Sequence, residues 1–216
     1  NNGHYLVETY NIKYSQSLSV WNQIRMRPEK KYDKELLAFG GAIYDDQSYA
    51  VDTVYNDKML KYLIKKTTRE ISTRGPLGKS YASLGYANWK NLPGTINEIN
   101  LISTIIDDTD KISGKEVNEH NIKELSKNNE LSKYKMLHFA THGVVVPDMP
   151  ELSALVLSQF ENNAYDEDGY LRMEEIAKLN ISADFINLSA CETGIGKIYP
   201  GEGVVGLSQA FILAGG

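Results

Sequence analysis

Short apolar runs alternate with amphipathic stretches along this chain, and that alternation points to an α/β domain. Residues 36–44, 134–141, 153–158 and 183–190 read as strands. Residues 58–73 place Met59, Leu60, Leu63, Ile64 and Ile71 at helical spacing. Thr95 followed by Glu98 forms a capping-box pattern ahead of Ile99, Ile102 and Ile106, so a helix is predicted to start there. Residues 118–131, 172–179 and 203–213 complete the predicted helices, and 44–57 and 143–152 read as loops. The 216 residues are enough to bury a real core.

Composition removes several function classes. A net charge of −5 argues against a nucleic-acid-binding domain, which carries a basic surplus. A single cysteine excludes an intramolecular disulfide framework and a structural zinc site built on several thiolates. A free thiol points to a reducing compartment, most simply the cytoplasm. The first ten residues lack the basic and apolar regions of a secretory signal, and no run approaches the roughly 18 apolar residues of a membrane helix. Nucleic acid and membrane are therefore not expected partners. The chain does not begin with Met and stops at Ala214-Gly215-Gly216 after an apolar run, so both ends read as cut from something longer. Fourteen tyrosines against five phenylalanines have no functional reading on their own.

His142 and Cys191 are the most informative pair. Each stands where a predicted strand gives way to a glycine-containing turn. In an open α/β sheet, ligands and chemistry collect at the carboxyl ends of the strands. Neighbouring parallel strands ending in His and Cys would place a base and a nucleophile on one rim. A thiol with a pKa of about 8.5 is already partly ionised near neutrality and needs no strong base. The residues alone leave a second reading of each: Cys191 as a small buried hydrophobe, His142 as a hydrogen-bonded turn residue.

Other motifs are weaker. Gly201-Glu202-Gly203-Val204-Val205-Gly206 fits G-x-G-x-x-G, but no strand directly precedes it and the chain ends before the acidic partner a dinucleotide site requires. Glycines for a tight turn and close helix packing explain it better. Gly75-Pro76-Leu77-Gly78-Lys79-Ser80 resembles the tail of a P-loop, yet Thr73 stands where the first glycine belongs. The acidic run 166–168 with Glu175 mimics half a calcium loop, but Ala164 occupies the first ligand position. His138 and His142 have the spacing of a helical zinc pair, but they lie in a strand, so His138 reads as a packed strand residue. No metal or cofactor is expected.

Leu137-His138-Phe139-Ala140-Thr141-His142-Gly143 and Asn187-Leu188-Ser189-Ala190-Cys191-Glu192-Thr193-Gly194 resemble the two signature motifs of the CHAT domain family, which is allied to the caspase-like and separase-like cysteine peptidases. Further segments follow in the family's order. Residues 6–18 with Ser17-Leu18-Ser19 resemble its opening strand, and Leu37-Ala38-Phe39-Gly40 resembles the next. Leu92-Pro93-Gly94-Thr95 with Glu98 resembles a helix start. Asp168-Gly169-Tyr170-Leu171 with Glu174-Glu175-Ile176 resembles a turn and helix, and 201–214 resembles the helix after the cysteine.

The resemblance implies a caspase-like, mostly parallel sheet with helices on both faces. It implies a cysteine endopeptidase in which His142 is the general acid/base and Cys191 attacks the scissile carbonyl to form a thioester. The backbone N–H groups of Gly143 and Cys191 would form the oxyanion hole, glycine letting its amide approach the oxygen unobstructed. A backbone carbonyl often orients the histidine in such enzymes. In the family the domain continues past the Ala-Gly-Gly segment with a further strand and loop, so residues 1–216 are read as a CHAT domain lacking its C-terminal part. Family members often carry helical repeats before the domain, so a regulatory repeat domain or activator protein outside this chain is an expected partner beside the protein substrate. For a basic P1 residue, Asp184, Glu192 and Asp148 are the candidate pocket acids; an apolar P1 is equally open. The alternative is a catalytically silent caspase-like module that scaffolds or regulates a protein partner.

Overall fold

The computed structural model describes residues 17–26, 30–44, 81, 89–146, 152–159, 167–192 and 202–216. Two compact units divide at Lys31 and Tyr32. In the first, helix α1 (Leu18–Arg25) carries the Arg25 guanidinium 4.6 Å from the Trp21 ring centroid. Leu18 and Ser19 of the expected opening strand motif belong to this helix; the remainder of that motif up to residue 16 lies outside the described residues, as do the predicted helix 58–73 and the P-loop-like segment 75–80.

The second unit is a mixed α/β domain. Strands β1 (Lys34–Gly40), β2 (Thr109–Ser113), β3 (Tyr134–Val144), β4 (Ala154–Val156), β5 (Tyr170–Arg172) and β6 (Phe185–Glu192) form one sheet. β1 pairs in parallel with β2 and β3, and β3 with β6. The parallel core therefore runs β2-β1-β3-β6. β4 adds antiparallel to the last residues of β3, His142 to Val144, and β5 adds antiparallel to β4. The strand order reverses between β1 and β3, with β2 on one side of β1 and β3 on the other, and such sheets collect their ligands at the carboxyl ends of the strands.

β1 and β3 read as near-continuous apolar runs because both faces are covered. On one face Leu36, Ala38 and Ala140 pack with Ile96, Ile99 and Ile102 of helix α2 (Pro93–Ile102). On the other, Leu37, Phe39, Leu137 and Phe139 join a larger core with Ile122 of α3 (Glu119–Lys127) and with Leu207, Ala210 and Phe211 of α5 (Glu202–Leu213). The short helix α4 (Met173–Ile176) packs against α5 so closely that a Cβ on Gly206 would meet Met173 Sδ at 2.9 Å. That contact agrees with the packing reading of this glycine.

Several predicted boundaries move. β1 ends at Gly40 instead of residue 44, because Gly41 takes a positive φ of 66° and turns the chain. α2 begins two residues earlier than Thr95, with Pro93 in its first turn, where the missing N–H costs nothing. Thr95 Oγ1 is not a cap: it donates to the Leu92 carbonyl at 2.7 Å and accepts from Gly41 N at 2.9 Å. α3 starts as read, with the Asn118 side chain accepting from Asn121 N at 2.7 Å, but ends at Lys127, and Asn129 adopts a φ of 60°.

The seat of α2 on β1 is tight. A Cβ at Gly40 would lie 2.8 Å from the Thr95 carbonyl oxygen and 2.9 Å from Ile99 Cγ2. Gly40→Ala is therefore expected to destabilise the domain by about 1–3 kcal/mol through overpacking, read as a lowered urea midpoint at unchanged slope.

Candidate active site

His142 lies two residues before the carboxyl end of β3. The strand was expected to stop before it, but β4 pairs with residues 142–144 and carries the extended conformation on to Val144. β6 likewise runs through Cys191 to Glu192. The parallel register of β3 and β6 pairs His142 with Cys191 and Gly143 with Glu192. In-register residues on adjacent strands stand about 5 Å apart on the same face of the pleat. The backbone thus brings His142, Gly143 and Cys191 to one place at the strand ends.

The His142 imidazole is buried, 4% exposed, and held on several sides. Its Nε2 is 2.7 Å from the Lys90 carbonyl oxygen. A carbonyl only accepts, so Nε2 carries the proton of the neutral ring and Nδ1 is the basic nitrogen. The Tyr44 ring meets the imidazole edge-on at 4.7 Å, and Trp89 lies tilted at 4.9 Å. The His142 backbone N–H donates to Tyr44 Oη at 3.0 Å, and that hydroxyl donates onward to the Val156 carbonyl of β4 at 2.9 Å. Burial pushes the His142 pKa below the usual histidine value, and the Lys90 hydrogen bond offsets part of the shift. A neutral imidazole suits a general base that takes a thiol proton during attack.

Gly143 has a packing role beside any chemical one. A Cβ there would approach the Ala190 Cβ of β6 to 3.2 Å. Its small size thus lets β3 and β6 lie close together at the level of His142 and Cys191.

His138, four residues earlier in the same strand, is packed as expected, at 3% exposure. Asn187 Nδ2 donates to its Nδ1 at 2.9 Å, so the proton sits on Nε2, which lies 3.1 Å from Glu98 Oε1 but off the hydrogen-bond line. Burial lowers its pKa, with Glu98 pulling the other way. Both histidines thus have native pKa values below the 6.5 of an unfolded chain. The unfolded state then binds more protons as the pH drops, so stability is full above about pH 6.5 and is lost as the pH falls through the native values. Urea midpoints measured from pH 8 to pH 5 are expected to decline below about pH 6.5, and His138→Gln should flatten part of that decline.

The candidate pocket acids separate. Asp184 precedes β6 at the end of the strand opposite Cys191, roughly 20 Å away along the chain direction, and accepts from Tyr32 Oη at 2.7 Å. It does not reach the rim. Glu192 takes the register position beside Gly143. Asp148 lies outside the described residues.

One acidic group lies away from this rim. Carboxylate oxygens of Glu119, Glu167 and Glu175 lie within 4.8 Å of one another. Lys123 Nζ reaches all three, at 2.6, 2.7 and 2.8 Å, and stands where a cation would. Burial, then the neighbouring carboxylates, push the Glu119 pKa up to about 9. Its Oε2 accepts from Asp168 N at 3.2 Å and Gly169 N at 2.9 Å, which ties α3 to the turn before β5. That turn contains the Asp168-Gly169 pair read from the sequence, with Gly169 at a φ of 81°. The half calcium loop is thus a tethered turn.

The comparisons with known proteins decide the family. The family model described as CHAT domain matches residues 1–216, the whole chain. The chain belongs to the CHAT family. CHAT domains are related to the caspase-like peptidases; the first motif that carried the resemblance, residues 137–143, falls on β3 of this CHAT domain, and residues 187–192 of the second fall on its parallel neighbour β6. Searches of the curated proteins and of the solved structures found no match. No helix of the CHAT domain among the described residues is long and apolar enough to cross a membrane.

Proposed function

We propose that this CHAT domain is a caspase-like cysteine endopeptidase acting through His142 and Cys191. The observation that carries the reading is the register that pairs these two residues, next to an imidazole whose tautomer is set by the Lys90 carbonyl. Nδ1 of His142 takes the thiol proton as the Cys191 sulfur attacks the scissile carbonyl carbon. The negative charge that develops on the carbonyl oxygen is met by the backbone N–H groups of Gly143 and Cys191. Collapse expels the amine, which leaves with the proton from His142, and forms a thioester. Water, deprotonated by the same imidazole, then hydrolyses the thioester and restores the thiol.

A third side chain is unnecessary, because a backbone carbonyl already fixes the ring. For a basic P1 residue, Glu192 beside the oxyanion position and Asp148 are the acids to test. Protein is the substrate class, the reducing cytoplasm the setting in which a lone nucleophilic thiol persists, and a repeat domain or activator outside residues 1–216 the regulatory partner. The test is cleavage of a proteome-derived peptide library by the full chain, read by mass spectrometry. Cleavage with a defined P1 preference is expected. A library left intact in every activation state tried, together with capture of an uncleaved partner, would favour a scaffold.

A further inference from the structure

The aromatic residues around His142 extend beyond those that touch it. Trp89 Nε1 donates to Tyr170 Oη at 2.9 Å. Tyr170, in β5, stacks on Tyr81 with centroids 3.9 Å apart and planes 7° from parallel, and Tyr81 Oη donates to the Leu152 carbonyl at 2.6 Å. Tyr44, Tyr81, Trp89 and Tyr170 are all buried. The segment carrying the Lys90 carbonyl is thereby held at three successive residues. Trp89 is held by Tyr170, Lys90 meets the imidazole, and Asn91 Oδ1 accepts from Tyr44 N at 2.7 Å.

We propose that Tyr170 is a positioning residue for His142, acting through Trp89 to hold the Lys90 carbonyl against Nε2 and so keep Nδ1 as the basic nitrogen. The inference rests on the peptidase reading only where it concerns turnover; the placement of the imidazole stands apart from it. An indole N–H is a donor only, and in a buried site it requires an acceptor. The Tyr170 hydroxyl supplies one and thereby fixes the rotation of the Trp89 ring. A freed ring would let the adjacent peptide shift, and the Lys90 carbonyl selects one imidazole tautomer less strongly as it moves from 2.7 Å out of hydrogen-bond range. Because β5 pairs with β4, and β4 with the His142 segment of β3, Tyr170 also ties this setting to the β4–β5 hairpin. The hairpin is in turn anchored to α3 through Glu119 and Gly169.

The variant that isolates the bond is Tyr170→Phe, which removes one oxygen and retains the stacked ring. The readout is the ¹⁵N spectrum of the histidines in the full chain. His142 is assigned by its loss in His142→Gln. The unmodified protein is expected to show His142 as a single Nε2–H tautomer with slow proton exchange. In Tyr170→Phe the two nitrogen signals should move towards each other and the Nε2 proton should exchange faster. Tyr81→Phe, which removes a hydroxyl from the same cluster without touching Trp89, should leave the His142 signals in place. If peptide cleavage is present, Tyr170→Phe should lower kcat about tenfold at unchanged KM, a fraction of the ~10²–10⁴ that a positioned acid–base group supplies. Should Tyr170→Phe fail to fold, Trp89→Phe tests the same bond from its other end. An unaltered His142 tautomer and exchange rate in the folded variant would overturn the proposal. A shifted tautomer in a protein that cleaves nothing would preserve it and remove the peptidase reading instead.

Discussion

Replacing Cys191 by Ala is expected to lower peptide cleavage by at least about a thousandfold while binding of the same peptides persists. The chain has one cysteine, so no second thiol can take over as nucleophile. The residual rate would come from binding and the backbone N–H groups alone, which do not form a thioester. His142→Ala should cost a comparable factor, and the double variant little more than either single one, because the two residues act as a unit. Kinetics of the single and double variants on one fluorogenic peptide check both statements. A scaffold would show no change in any of them.

The largest effect on stability is expected at Phe139. It is fully buried and stacks on Phe39 of β1, with centroids 4.8 Å apart and planes nearly parallel at 4°. On the other side it meets Phe211 of α5 at 5.4 Å. Phe139→Ala would open a cavity between the sheet and that helix, at a cost of about 3–5 kcal/mol. Against a total of roughly 5–15 kcal/mol for a domain, this is a large share. Urea unfolding should show a much lower midpoint, and activity should fall in proportion to the fraction unfolded. The same substitution at the exposed Leu213, at 77%, should scarcely move the midpoint.

The parallel strands were legible in the sequence because a strand buried on both faces is apolar throughout, as in Leu36-Leu37-Ala38-Phe39. β2 was not, because Thr109-Asp110-Lys111-Ile112-Ser113 is a polar edge strand whose pairing is provided by β1. β5 was hidden for a different reason: three residues are too few for alternation to register, and they exist as a strand only by pairing with β4. The capping-box pattern at Thr95 misplaced a helix start because the threonine hydroxyl is used to hold Gly41 against α2. Strand apolarity located the rim, and resemblance assigned His142 and Cys191 their roles. What surrounds His142 had no local signal. Tyr44, Trp89 and Tyr170 come from distant parts of the chain and meet only once β3, β4 and β5 are assembled. The tyrosine-heavy composition pointed at no site, yet three of these residues, Tyr44, Tyr81 and Tyr170, line or buttress this one.

The central claim is that Cys191 is a nucleophile activated by His142. It is tested most directly by treating the full chain with a peptidyl acyloxymethyl ketone and mapping the adduct by tandem mass spectrometry. The account predicts a stoichiometric thioether on Cys191, formed far more slowly in His142→Ala and blocked by a competing peptide. A native, folded protein whose Cys191 stays unmodified, or reacts at the same rate with and without His142, would contradict it.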